Sequence, residues 1–250
     1  MMNQIFVAAL FISSAITLDA QPNVSNLLTE VELPYSKIRS LSYSVTRTTE
    51  TRQREVEEKW SFHFRSPNDL RVDYIKPQKR TFYLHENTLW EYIPEAGKAR
   101  RTDIEKLDDA EKAAVLKGFI SRTAIPGLRI GDFANMLNQH VTTKETGKGM
   151  VLMQGQNPRF SLEIDSTRNV ILSTALYNDK GELTLSTSSS AFKEIAQGFW
   201  FPMRIDVNQR YENQMIHSQI RFDNVQVNKS PEHDFFRFTP AEHIQVISYP

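Results

Sequence analysis

The sequence contains no cysteine. Disulfide staples, thiol nucleophiles and cysteine-ligated zinc are therefore excluded. No thiol is present for lipid attachment either, so a cysteine-anchored lipoprotein is not expected. Glycine is scarce, nine in 250 residues, which argues against phosphate-cradling loops. None of the G-x-S-x-G, H-E-x-x-H or Gly-rich phosphate signatures occurs. Charge of one sign is also lacking: thirty Lys and Arg balance thirty Asp and Glu. No basic surplus points to nucleic acid or to anionic lipid surfaces. The six histidines, at 63, 85, 140, 217, 233 and 243, are not paired at metal-ligand spacing. Glu232-His233-Asp234 is the densest such cluster and reads as surface. No metal, no cofactor and no covalent nucleophile are expected. Long apolar runs are missing apart from one at the start of the chain.

That run, Ile5 to Leu18, is too short to span a bilayer comfortably. It precedes Leu18-Asp19-Ala20, an acceptable cleavage site, so residues 1–20 read as an export signal. The n-region lacks Lys and Arg, and the competing reading is a short apolar element docked on the domain. Export without cysteine suits a bacterial periplasm better than a small secreted eukaryotic scaffold. Residues 21–250 are expected to form a single domain.

What the chain has in quantity is large apolar side chains: fifteen Phe, eight Tyr, three Trp and seven Met. Many alternate with polar residues, as antiparallel strands with one apolar face require. Trp60, Phe62 and Phe64 alternate with Ser61, His63 and Arg65. Leu70, Val72 and Tyr74, then Phe82 and Leu84, continue the pattern. Further strands are expected from Leu41 to Thr51 and, after Met150, in seven segments reaching Asn224, about ten or eleven strands in all. Glu182–Thr187 and Ala191–Ile195 are expected to be separate strands. Asp179-Lys180-Gly181 suits a hairpin turn. Ser25 is placed to cap a helix to about Leu33, which Pro34 stops or kinks. Asp108 and Glu111 have capping-box spacing and open a short helix ending at Gly118.

The bland reading of the aromatic strands is core filling; the functional one is an apolar hollow that holds a ligand. Paired carboxylates at Glu57-Glu58 and Asp108-Asp109 sit without a catalytic motif. Arg65, Lys79-Arg80 and Arg100-Arg101 near Phe82, Tyr83 and Trp90 mimic a single-strand nucleic-acid platform. Balanced charge and the export signal favour a solvated strand face.

Several pieces belong together: the aromatic strand Trp60, Phe62, Phe64; the corner Ser66-Pro67-Asn68; the alternating strand to Tyr74; the run Thr88-Leu89-Trp90-Glu91-Tyr92-Ile93-Pro94; and the ending Phe236-x-Phe238-Thr239-Pro240 with Ile244 and Val246. In these the chain resembles the periplasmic outer-membrane lipoprotein carrier family (LolA/LolB-like lipoprotein localisation factors). The resemblance implies an incomplete, half-open antiparallel β-barrel with inserted helices and a short helical lid. It implies a hollow that binds acyl chains of lipoproteins or another lipid cargo, an inner-membrane donor complex, an outer-membrane acceptor, and no enzymatic activity. The lipid-binding residues would be Phe62, Phe64, Leu70, Val72, Tyr74, Phe82, Leu84, Phe199, Phe201 and Met203. The lid would be carried by Leu116, Phe119 and Ile120, with residues 104–138 covering the concave side.

One departure concerns the lid. The family's latch arginine directly precedes the corner proline, where this chain has Ser66. Arg65 alternates to the opposite face, so the latch is not transferred to it and a lid held by apolar contacts is expected. Total length and the Asp103 to Ala134 insert also exceed the family pattern. Two other classes stay open: an envelope-stress sensor that binds lipid or lipoprotein, and an enzyme on an envelope lipid or glycan using carboxylates such as Glu163 or Asp165.

Overall fold

The computed structural model describes residues 24–51, 54–66, 68–112, 141–156, 159–212, 214–229 and 231–249. The helix α1 (Val24–Ser36) comes first. Six strands follow: β1 (Ser40–Glu50), β2 (Glu55–Arg65), β3 (Asp69–Lys76), β4 (Arg80–His85), β5 (Thr88–Ile93) and β6 (Lys98–Asp103). After the insert come β7 (Val141–Gly147), β8 (Met150–Gln156), β9 (Arg159–Asp165), β10 (Val170–Tyr177), β11 (Leu183–Ala196), β12 (Phe199–Tyr211), β13 (Gln214–Val227) and β14 (Gln245–Tyr249).

All fourteen strands join one sheet in the order β14-β6-β5-β4-β3-β2-β1-β13-β12-β11-β10-β9-β8-β7. It is open and curled, the half-open barrel that the sequence leads one to expect. Two meanders, β1 to β6 and β7 to β13, are stitched by the antiparallel β1–β13 pair, in which Val45 faces Phe222. Asn228 secures that seam: its side-chain oxygen accepts from Arg39 N at 2.7 Å, and its N–H donates to Ser40 O at 2.8 Å. Tight turns set the register. Glu86 and Asn87 both take positive φ, 46° and 61°, as a two-residue hairpin requires. Gly181 at φ 78° closes the expected turn by donating to Asn178 O.

Three details differ from the sequence reading. The helix α1 continues through Pro34 to Ser36. Proline in the last turn removes one backbone donor, while Tyr35 meets Phe199 edge-on at 5.1 Å and Ser36 Oγ donates to Leu33 O. The two expected segments form one strand, β11 (Leu183–Ala196), with Ala191 at φ 53° inside it. The strands β5, β6, β7 and β14 lie beyond the expected set. Of these, β6, β7 and β14 lie at or beside the sheet edges and are rich in charged or exposed residues, a composition that protects edges and hides their periodicity. The capping box is present, with Glu111 N donating to Asp108 Oδ1 at 2.8 Å and Asp108 N to Glu111 Oε2 at 3.0 Å. Helix follows at 109–112. Leu116, Phe119, Ile120 and the rest of the expected lid from residue 113 onward lie outside the described residues.

The two faces of the sheet are covered differently. The face that carries α1 is here the inner face. The outer face of β2 to β5 carries the segment leading to β14. Phe235 and Phe236 sit in a 3-10 turn (His233–Phe236), and Phe236 is fully buried. The guanidinium of Arg71 lies 4.4 Å from the Phe235 ring and 5.0 Å from Tyr83 while donating to Phe235 O. The guanidinium of Arg65 covers Phe236 at 4.8 Å. Phe238 packs on Tyr83, Trp90 and Tyr92, with ring centres 5.1 to 5.3 Å apart. The two sequence-distant motifs, Trp90-Glu91-Tyr92 and Phe236-x-Phe238, are thus one packed unit.

Asp69 ties this layer together by accepting from Arg65 Nε (2.9 Å) and Nη2 (2.7 Å) and meeting His85 Nδ1 at 2.7 Å. Burial alone would raise its carboxyl, but the bonds to His85 and Arg65 outweigh it and hold the group below its ordinary value. A depressed carboxyl stabilises the fold fully above the unfolded value, about 3.9, and ceases to do so as pH falls through the lower folded value. Asp69→Asn is therefore expected to lower the urea midpoint at pH 7, with the gap to wild type shrinking toward pH 3. A gap that stays constant over that range would contradict the charged role of Asp69.

Candidate functional site

The inner face is built by register. Phe62 opposes Val72, which opposes Phe82; Phe64 opposes Leu70, which opposes Leu84; Trp60 opposes Tyr74. On the other side of β2, Tyr43 opposes Phe62 and Val45 opposes Trp60. Across the β1–β13 seam the face continues through Phe222 and Ile220 to Ile205, Phe201 and Phe199. Tyr43 is the hub. It stacks on Phe62 at 4.9 Å, meets Phe222 edge-on at 5.4 Å and lies 5.8 Å from Phe201. Burial pushes its phenol and that of Tyr35 upward, so neither contributes charge.

All ten residues selected from the sequence for an apolar surface fall on this one face. Phe62, Val72, Leu84, Phe199 and Phe201 are buried, whereas Phe64, Leu70, Tyr74, Phe82 and Met203 are only part-buried and pack around them. The selection missed Leu41, Tyr43 and Val45 on β1 and Ile220 and Phe222 on β13. Their period-two pattern is present in the sequence, and those strands were recognised without being assigned to the face.

A second apolar cluster lies farther round the sheet, where Leu27, Leu28 and Val31 of α1 press on Val151, Met153, Phe160, Leu162 and Ile164. Gly155 opposes Phe160, and a Cβ there would collide with the Phe160 ring. Between the clusters the face carries hydroxyls: Thr174 Oγ1 and Thr187 Oγ1 lie 2.7 Å apart across β10 and β11. A cavity of about 300 Å³ opens beside the end of α1, lined by Leu33, Pro34, Ile38, Phe199 and Val227 with Asn228. Toward β6 the apolar stripe stops at charge, with Glu91 3.2 Å from Arg80 and 3.7 Å from Arg100.

The carboxylates weighed for catalysis have structural partners. Asp165 accepts from Thr167 N and Oγ1 and from Arg168 N and Nε, closing the β9–β10 turn. Glu163 accepts from Ser173 Oγ. Arg65 faces away from the inner face, as its alternation requires. Among the described residues no group of three or more metal-ligating side chains is assembled.

Phe201→Ala is expected to cost about 3–5 kcal/mol, as for a fully buried aromatic, and Phe64→Ala less than half of that. Urea unfolding of both variants checks this. Equal costs would show that Phe64 is core and not part of an accessible rim.

No family model and no curated protein matches the sequence. Solved structures do match. A LolA superfamily protein from Nitrosomonas europaea superposes with a TM-score of 0.51 at 12% identity, over 84% of this chain and 96% of that one. A putative outer membrane lipoprotein-sorting protein domain from Vibrio parahaemolyticus gives 0.55 at 9% identity, over 86% and 97%. At such identities the likeness is one of architecture. The curled open sheet that carries α1 on its inner face is similar in overall architecture to these two structures.

Proposed function

We propose that this chain is an exported carrier that binds the acyl chains of lipoproteins, or of another acylated molecule, on its inner face and moves them through the periplasm toward the outer membrane. The observation that carries this reading is the rim of Phe64, Leu70, Tyr74, Phe82 and Met203, part-buried around a fully buried floor on one sheet face. A folded chain gains little from leaving a large apolar surface accessible unless something binds it. An acyl chain does so with about 0.8 kcal/mol per buried methylene. The same gradient makes release costly, so a carrier needs a shallow, coverable hollow and not a closed cavity. The proposal is one of binding without turnover. Donor and acceptor would be membrane-associated proteins; among the described residues no helix is long and apolar enough to cross a membrane.

Mass spectrometry of lipids extracted from the purified native protein tests the reading. Wild type is expected to release acyl lipid near one equivalent. Leu70→Glu places charge on the accessible rim, where Val72, 1% exposed, would not tolerate it. That variant is expected to keep its far-UV circular dichroism and to carry clearly less lipid, its affinity for added acyl lipid weakened at least tenfold, which about 1.4 kcal/mol produces. A wild-type protein free of acyl lipid that also fails to bind added lipid, or a Leu70→Glu variant that retains it, would overturn the assignment.

A further inference from the structure

One end of the inner face is not apolar. Arg47 continues the alternation of Leu41, Tyr43 and Val45 onto this face, opposing Ile220 on β13 and Glu58 on β2. Its Nη2 donates to the buried Ser218 Oγ at 3.3 Å, and Thr49 Oγ1 lies 2.9 Å from the same hydroxyl. Its Nη1 is 3.7 Å from Glu58 Oε2. Its Nε is buried with no hydrogen-bond partner. Trp60 pairs with Val45 and is therefore the diagonal neighbour of Arg47 on the same face, roughly 7–8 Å away. Trp60 is 3% exposed, and its indole Nε1 is likewise buried without a partner.

Two buried, unsatisfied groups in one corner require an explanation, because an orphaned donor costs free energy that a folded chain usually avoids. Both are donors, and neither indole N–H nor guanidinium can accept. What would satisfy them is an oxygen acceptor. The carboxylate of Glu58 is turned toward Nη1, leaving Nε unused. The corner adjoins the floor formed by Val45, Trp60 and Ile220, so the acceptor would enter attached to an apolar chain lying along that floor.

We infer that Arg47 and Trp60 form the head-group end of the hollow, receiving the carboxylate or carbonyl oxygen at the head of an acyl chain whose tail runs over Phe62 and Phe201. This rests on the carrier reading and adds an orientation to it: head at the β1–β2 hairpin end, tail toward α1. A guanidinium gives the site a preference for anionic over cationic single-chain amphiphiles.

Titration calorimetry with three probes of equal tail length, each below its micelle concentration, tests it: palmitate, methyl palmitate and hexadecyltrimethylammonium. The last has the tail but no acceptor and the opposite charge. Wild type is expected to bind palmitate at least tenfold more tightly than the cation. Arg47→Ala is expected to weaken palmitate about tenfold and leave the cation unchanged or tighter. Trp60→Phe keeps an aromatic ring, removes the N–H, and is expected to weaken palmitate about threefold; it serves as the second variant should Arg47→Ala fold poorly. Arg47-dependent binding of methyl palmitate as well would identify esterified or amide-linked chains as the cargo source. Dependence for palmitate alone would identify free fatty acid. Palmitate binding that neither variant changes, or equal losses for palmitate and the cation, would overturn the head-group assignment while leaving the carrier reading standing. If none of the three probes binds the wild type, both fall together.

Discussion

Tyr43, Phe62, Phe201 and Phe222 must sit on the same side of one sheet, and most of the architecture follows from that requirement. They come from β1, β2, β12 and β13, the four strands around the seam where the two meanders meet. Their contacts give the β1–β13 pairing a hydrophobic reason to form although its partners are far apart in sequence. A slip of one residue in any of these strands would turn its aromatics to the opposite face. Register, curl and the position of the apolar floor are therefore one constraint expressed three ways.

The outer face solves a different problem. Antiparallel sheets commonly leave one side to solvent, yet here Phe235, Phe236 and Phe238 are laid across β2 to β5 under the guanidinium groups of Arg65 and Arg71. These arginines are held by Asp69 and Asp73, so each ion pair also positions a cation over a ring. The arrangement stiffens the half of the sheet whose inner side carries the Phe62, Val72 and Phe82 row. It also leads the chain to its parallel pairing on β6. The two faces thus differ in kind: apolar and partly accessible inside, aromatic and ion-paired outside.

The strands were legible where period-two alternation is strong. Trp60 to Arg65, Leu70 to Tyr74 and Phe199 to Met203 announce both their conformation and their shared face. Less legible were β6, β7 and β14, whose charged residues serve edge protection and carry little periodicity. Ala191 inside β11 looked like a strand break because Ser186 to Ser190 masks the apolar alternation. Pro34 looked like a helix stop, but in the last turn its cost is small against the docking of Tyr35. The corner at Arg47 was invisible for a different reason. Its meaning depends on which atoms of Arg47 and Trp60 lack partners, and that is set by three-dimensional contact, not by residue type. The outer packing of Phe238 on Trp90 and Tyr92 likewise joins motifs that the sequence shows only as separate runs.

The three tryptophans offer the most direct measurement of the central claim, that acyl chains lie on the inner face. Trp60 belongs to that face; Trp90 packs against Phe238 on the outer one, and Trp200, alternating with the inner Phe199 and Phe201, lies under the guanidinium of Arg168. Palmitate brominated at carbon 2, beside the head group, quenches indole fluorescence only at close contact. In a protein retaining Trp60 alone (Trp90→Phe, Trp200→Phe), saturable and nearly complete quenching is expected. In the protein retaining Trp90 alone, fluorescence should be essentially unchanged. Strong quenching of Trp90 with Trp60 unaffected would place the ligand on the opposite side of the sheet and contradict the account.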